Sequence, residues 1–328
     1  MDGPGLFPTS LQPLEGGFSG ETFLGETSGE TSGEQVVARI YGGRSLARGP
    51  LAPEVDAAVL ELVRGLLPVP RVLEVRRGDD ASGLPGLLLT TRLPGERLDL
   101  LLPDLDPARR RQVGAGLGVL LGRLGHLAQP RAGLFVDLGL APTELPPELR
   151  DLPSWVEHHD ERLRAVLDPG LVDALGGVVD DVQDLLDEDR RHVLVHGDLN
   201  PKNLLVDPDT LEVTGLVDWE FAHAGSPYAD LGNLLRLDRD PVLVDAVLGA
   251  YRDFMPAVPG DLLDRARSAD LFALVDLAVR PESTTVVLAA RDVLTAIARA
   301  GDVRTGLDAR TGRGIDSRGA RSLPESQT

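Results

Sequence analysis

His196-Gly197-Asp198-Leu199-Asn200-Pro201-Lys202-Asn203, followed by Leu204-Leu205-Val206 and later by Val217-Asp218-Trp219-Glu220, is the stretch that decides the fold. It sets an Asn five positions after Asp198 and a second Asp twenty positions after it. Each polar group stands against an apolar, β-like run, a pattern that pins loops at the edge of a small sheet. Phosphoryl transfer asks a protein for one carboxylate to orient and deprotonate a hydroxyl. It also asks for hard oxygen ligands for the magnesium ions that neutralise a triphosphate. Asp198 is the candidate base, and Asn203 and Asp218 are the candidate metal ligands. An Asx-rich turn between two strands is the competing reading, and the joint spacing weighs against it.

Composition bounds the alternatives. A chain of 328 residues can bury a large core in one or two domains. No run of eighteen apolar residues occurs, so no membrane span is expected. The start, Met1-Asp2-Gly3-Pro4, lacks the basic and apolar regions of a secretory signal. The absence of cysteine excludes disulfides, thiolate zinc sites and cysteine nucleophiles, and is compatible with a cytoplasmic location. A formal charge of −19 argues against a nucleic-acid partner and suits cationic ones. Lys202 is the only lysine, so any phosphate-binding cation nearer the N-terminus has to be an arginine.

Along the chain, Leu11–Glu15, Glu21–Gly25 and Gln35–Tyr41 read as strands, with Gly25–Gly33 a tandem-repeat hairpin loop. A helix is expected over Pro53–Gly65, with Val55, Val59, Leu62 and Leu66 on its apolar face, followed by strands at Val72–Val75 and Leu87–Thr91. Beyond Thr91-Arg92-Leu93-Pro94-Gly95 the pattern becomes helical: Arg109–Leu127, Trp155–Leu167 and Leu171–Leu186. Strands at His192–Val195, Leu204–Val206 and Val213–Val217 flank the decisive loop. Helices then run over Val242–Met255, Asp261–Arg280 and Thr285–Ala300. The composition after Gly301 predicts a disordered tail. Strands with one helix first, then mostly helices, is an α+β arrangement: residues 1–91 form a small β-rich lobe and 92–300 a larger helical one, with 301–328 as the tail.

With its HGD-x-x-x-x-N spacing and downstream V-D-W, the chain resembles the aminoglycoside phosphotransferase family of small-molecule kinases over roughly residues 10–300. The resemblance implies a two-lobed protein-kinase-like fold, ATP and Mg²⁺ as cofactors, and a small-molecule hydroxyl as acceptor. It places Arg39 where such kinases carry a phosphate-binding lysine, paired with an acid on the following helix. Asp56 is favoured for that pairing, with Glu54 the alternative. Gly17, Phe18 and Ser19 fall in the turn expected to cover the phosphates, where glycine permits close backbone approach. Thr91 and Leu93 resemble the hinge that holds the adenine edge. His196 and Asp230 take structural positions around the loop, and Lys202 either meets the γ-phosphate or faces solvent. Gly197 stands where protein kinases have an Arg that pairs with a phosphorylated loop, and Trp219-Glu220 where they have Phe-Gly. Both departures point to a small molecule as acceptor.

The acceptor's identity stays open. Residues 144–189 hold fourteen acidic and three basic residues, which suits a cationic acceptor such as an aminoglycoside but equally describes a solvated helix face. A nucleotide-binding pseudokinase acting as a regulator is the alternative from another class. His158, His159 and His223 show no metal-site spacing.

Overall fold

The computed structural model of the chain describes residues 9–13, 22–26, 33–42, 48–79, 83–255 and 257–305. The expected phosphate-covering turn with Gly17, Phe18 and Ser19 lies outside the described residues, as does the tail beyond 305. Residues 301–305 still belong to the body: Val303 is buried, and Arg304 reaches Asp264 at 2.9 Å.

Alternation along Gln35–Tyr41 decides the N-terminal lobe. Val36 and Ala38 pack with Leu89 on one face, and Arg39 and Tyr41 share the other, as a two-residue side-chain period requires. Strands β1 (Thr9–Pro13), β2 (Thr22–Glu26) and β3 (Gln35–Tyr41) are followed by helix α1 (Ala52–Val63), then β4 (Val72–Arg76) and β5 (Gly86–Thr91). They form an antiparallel sheet of order β1-β2-β3-β5-β4, with Arg39 opposite Thr22 and Leu88. Helix α1 buries Val55, Asp56, Val59, Leu60 and Val63, whereas Leu62 is exposed. Its inward stripe is thus rotated from the expected one, because Asp56 is held inside by hydrogen bonds and carries its face of the helix inward with it.

The chain leaves this lobe through a stitched linker. The Thr91 and Arg92 amides donate to the Arg71 and Gln35 carbonyls, and the Thr214 hydroxyl donates to the Pro94 carbonyl at 2.7 Å. Gly95 has φ +107°, and a Cβ there would sit 2.3 Å from Thr214 Oγ1, so glycine is required on both counts.

The second lobe runs β6 (Glu96–Arg97), α2 (Leu98–Leu101), α3 (Pro107–Gly125), β7 (Ala128–Gln129), β8 (Gly133–Leu134), α4 (Leu152–His158), α5 (Asp160–Val166) and α6 (Pro169–Asp187). It continues with β9 (His192–Val195), β10 (Leu204–Val206), β11 (Val213–Leu216), β12 (His223–Gly225) and helices α7 (Ala229–Leu234), α8 (Pro241–Phe254), α9 (Leu262–Ala278) and α10 (Thr285–Ala300). The small sheets β11-β10-β6 and β7-β9-β12-β8 flank the loop 196–203. One expected helix, Trp155–Leu167, is instead α4 and α5, broken at His159, whose backbone leaves the helical region. The family-like two-lobed α+β architecture is present.

Two cores support the site. One joins α1, α3, α7 and α8 with the loop strands, and the other joins α4, α6, α9 and α10. Helices α3 and α8 approach closely through α3 glycines. A Cβ on Gly118 would lie 2.4 Å from the Val247 carbonyl oxygen, whereas one on exposed Gly116 would meet only Val213 Cγ2 at 3.9 Å. Among the described residues no helix is long and apolar enough to cross a membrane. Replacing Gly118 with Ala should therefore lower the melting temperature through overpacking of about 1–3 kcal/mol. Gly116→Ala should raise it through the helix propensity gain of up to about 1 kcal/mol. Thermal unfolding of the two variants checks the packing; equal shifts would contradict it.

Candidate active site

Strand β9 delivers the chain into the loop and β10 takes it out, so residues 196–203 are tethered at both ends. His196 is fully buried beneath them. Its Nε2 lies 3.0 Å from the Val217 carbonyl oxygen and its Nδ1 accepts the Asp198 amide at 3.2 Å, an arrangement that assigns the proton to Nε2. Burial pushes its pKa down to about 4, so it is a neutral strut at ordinary pH. Asp230, at the start of α7, accepts the His196 amide at 2.7 Å and the Gly197 amide at 3.0 Å. Its burial raises the carboxyl pKa to about 7 against the pull of those two amides. Gly197 has φ +83°, and a Cβ there would strike the Phe221 carbonyl at 2.4 Å.

Above this support sits Asp198. Its Oδ1 accepts from Asn200 Nδ2 at 2.8 Å and its Oδ2 from Asn203 Nδ2 at 2.9 Å, which fixes the carboxylate's plane. Burial raises its pKa, and the Asp218 charge adds to that, opposed by the amides and by Arg236. Asn203 commits its NH₂ end to Asp198, so its carbonyl oxygen is the end it can offer a cation, and its backbone carbonyl accepts the Val217 amide. Asp218 has φ +66°, a left-handed conformation that costs of order 1–3 kcal/mol where a non-glycine residue is held there. Trp219 anchors this turn: it is buried, donates Nε1–H to the Leu216 carbonyl at 3.1 Å, and packs 4.6 Å from the His196 ring. The structure thus brings Asp198, Asn203 and Asp218 together. Lys202 lies within the field of Asp99, Arg97 and Asp198, and burial lowers its pKa.

Arg39 reaches the same place from β3. Its Nη1 donates to Asp218 Oδ1 at 2.8 Å and its Nη2 to Glu220 Oε2, while its Cζ lies 5.5 Å from the Tyr41 ring centre. Burial opposes its charge, and the two carboxylates outweigh that and raise its pKa. The expected ion pair with α1 is not formed. Asp56 is engaged by the Tyr41 hydroxyl at 2.6 Å and by Arg48 Nη1 at 2.9 Å, and Glu54 by Arg77 Nε at 2.6 Å. The reason is competition: Arg48 and Tyr41 are nearer donors for the α1 acid, and Asp218 and Glu220 are nearer acceptors for Arg39. In the sequence Glu220 stands out only as a departure from the Phe-Gly of protein kinases. The sequence shows two acids two positions apart, but their convergence on Arg39 depends on the left-handed turn at Asp218, which no local pattern announces.

The remaining expectations fall as follows. Thr91 spends its amide on the Arg71 carbonyl, and its hydroxyl accepts the Arg71 amide at 3.0 Å, so its side chain and amide are used in pinning the linker. Leu93 is partly buried, with its side chain against Gly215. On α6 the valine and leucine stripe is buried, while Asp180, Asp181, Asp184 and Asp187 face solvent. No cluster of three or more His, Cys, Asp or Glu side chains with metal-binding geometry occurs among the described residues.

His196 makes stability depend on pH in a defined direction. Its folded pKa of about 4 lies below the ordinary imidazole value of 6.5, so the folded state resists protonation. The stability it contributes is complete above about pH 6.5 and is lost as pH falls toward 4, at up to about 1.4 kcal/mol per pH unit. Asp230, with its raised pKa, acts oppositely over the same window, so the variant comparison isolates the histidine. The stability difference between the wild type and His196→Gln, from urea unfolding, should be smaller at pH 5 than at pH 7. A pH-independent difference would contradict the buried neutral assignment.

Comparison with known proteins places this geometry. Residues 10–266 match APH, the phosphotransferase enzyme family. Over 195 residues the chain is 28% identical to acyl-CoA dehydrogenase family member 10 of Mus musculus; the match covers 57% of this chain and 17% of that much longer protein. Aminoglycoside-3'-phosphotransferase of type VIII has 25% identity and a TM-score of 0.50, with 82% of this chain and 94% of that one covered. APH(4)-Ia in ternary complex with AMP-PNP and hygromycin B, a thermostable mutant, shares 18% identity at a TM-score of 0.61, covering 90% and 95%, a likeness of fold. With the family match spanning most of its length, the chain belongs to the phosphotransferase enzyme family.

Proposed function

We propose that the protein transfers the γ-phosphoryl group of ATP to a hydroxyl of a small molecule. The observation that carries this reading is a single constellation: Asp198 locked between two amides, with Asn203 and Asp218 beside it and Arg39 reaching in from the other lobe. Asp198 accepts the proton of the acceptor hydroxyl as that oxygen bonds to the γ-phosphorus and the bond from γ-phosphorus to the β-bridging oxygen breaks, releasing ADP. Its raised pKa favours proton uptake. Arg39 is the phosphate cation, with a planar fork suited to two phosphate oxygens. In this reading Leu93, partly buried in the linker between the lobes, borders the adenine.

The residues present fit magnesium. The Asp218 charge adds to the cost of ionising Asp198, which a cation would relieve, and the Asn203 carbonyl oxygen with Asp218 forms a hard-oxygen pair. Magnesium, when bound by Asn203 and Asp218, would neutralise charge on the transferring phosphoryl group. Related structures of this fold hold ADP or AMP-PNP, which supports nucleotide binding. The hygromycin B bound in them supports a cationic acceptor such as an aminoglycoside; the acidic face of α6 is solvated and adds nothing to that choice. A cytoplasmic setting, where ATP is supplied, accompanies this reading.

The test is turnover across a panel of cationic and neutral hydroxyl compounds, repeated with Asp198→Asn. The variant should lose at least about 10²-fold in turnover while ATP affinity stays within about twofold, since the base acts on the acceptor. For a cationic acceptor the apparent KM should rise with salt, because exposed charges interact over only ~8 Å at physiological ionic strength. Wild-type ATP binding without turnover of any acceptor would favour a pseudokinase. Near-normal turnover in Asp198→Asn would remove that residue from the mechanism.

A further inference from the structure

The α1 acids are already satisfied within their own lobe. Asp56 is buried and holds Tyr41 and Arg48, and Glu54 holds Arg77. Helix α1 therefore gives Arg39 no hydrogen bond; Asp56 acts on it only as a weaker charge than Asp218 and Glu220, with the Tyr41 ring packed 5.5 Å from the guanidinium carbon. The guanidinium is directed from the opposite lobe. Its two terminal nitrogens are divided between Asp218 and Glu220, and its buried Nε makes no hydrogen bond, so these two carboxylates set its orientation. Glu220 and Asp218 are not equivalent. Asp218 is 39% exposed at the mouth of the site, while the Glu220 side chain is 19% exposed and Arg39 12%. A shielded pair holds its geometry better than an exposed one, which is screened and mobile. Between the two acids, buried Trp219 ties Glu220 to the same packing that holds His196 and the catalytic loop.

We propose that Glu220, and not an acid of α1, is the positioning carboxylate that aims Arg39 at the nucleotide phosphates, an inference that rests on the phosphotransferase reading of the site. Asp218 is shared between Arg39 and the cation it would bind, so its hold on Arg39 weakens as nucleotide and magnesium enter. Glu220 retains the second guanidinium nitrogen through that exchange and keeps the fork from following Asp218. Without Glu220, Arg39 has Asp218 as its one strong partner and competes with the cation for it. The N-terminal lobe thereby takes the direction of its phosphate cation from the segment that carries the metal ligand.

A double-mutant cycle on equilibrium binding of a fluorescent ADP analogue with magnesium tests this, using full-length protein checked for folding by circular dichroism. Glu220→Gln should weaken binding about tenfold, yet in an Arg39→Ala background the same change should matter less than about twofold, the non-additivity expected of contacting residues. Glu220→Asp should recover part of the loss. Asp56→Asn should lower the melting temperature while leaving analogue affinity within about twofold, because its partners are Tyr41 and Arg48. Unchanged binding in Glu220→Gln, an additive cycle, or an equal loss in Asp56→Asn would each overturn the assignment; the additive cycle would point to direct cation ligation by Glu220. A wild type that binds no analogue would sink the phosphotransferase reading and this proposal together, whereas normal wild-type binding with an additive cycle sinks the Glu220 role alone.

Discussion

Asp230 accepting two consecutive backbone amides, those of His196 and Gly197, is the interaction on which the site depends. A loop that must point its polar side chains outward cannot also satisfy its own backbone, and a buried unpaired amide costs as much as a lost hydrogen bond. Asp230 supplies the acceptors from below. His196 supplies another and spends its remaining ring nitrogen on the Val217 carbonyl, which ties the loop to the segment carrying Asp218. The proposed base and metal ligands are therefore positioned by one buried hydrogen-bonded unit, and Gly197 is needed because nothing larger passes Phe221. Such fully satisfied polar networks are rigid and specify one arrangement.

The two lobes meet on this unit through charge. Arg39 comes from the middle of β3 and lands on Asp218 and Glu220, some 180 residues away in sequence. Partly buried pairs of this kind are costly to break one-sidedly, since removing one partner leaves a charge without compensation. The linker around Gly95 adds fixed geometry, so the sheet carrying Arg39 and the loop carrying Asp198 are held in register by both covalent and electrostatic means.

Much of this was legible in the chain. That Asp198, Asn203 and Asp218 come together could be read because the strands on either side of the loop 196–203 force the intervals between them. Long periodic elements such as Gln35–Tyr41 and Thr285–Ala300 were legible as well. Strands β6, β7, β8 and β12 have two or three residues and lack the continuous apolar run that marks the equally short β10, so they show no pattern and are made by tertiary pairing. The Arg39 partner differs from the one the resemblance implies, because the engagement of Asp56 by Tyr41 and Arg48 is a tertiary event that no local pattern announces. The same event turned the apolar face of α1 away from Leu62. The break at His159 comes without a proline or glycine at that position, so no local signal marks it.

The central claim is that Asp218 serves as the charged ligand of the cation that accompanies the nucleotide, with Asn203 and Asp198 arranged around it. Calorimetric titration of ATP into the wild type and Asp218→Ala, each with and without magnesium, tests it most directly. The account expects magnesium to tighten nucleotide binding in the wild type, and that tightening to disappear in the variant while metal-free binding persists. Equal magnesium-dependent affinity in both proteins would contradict it.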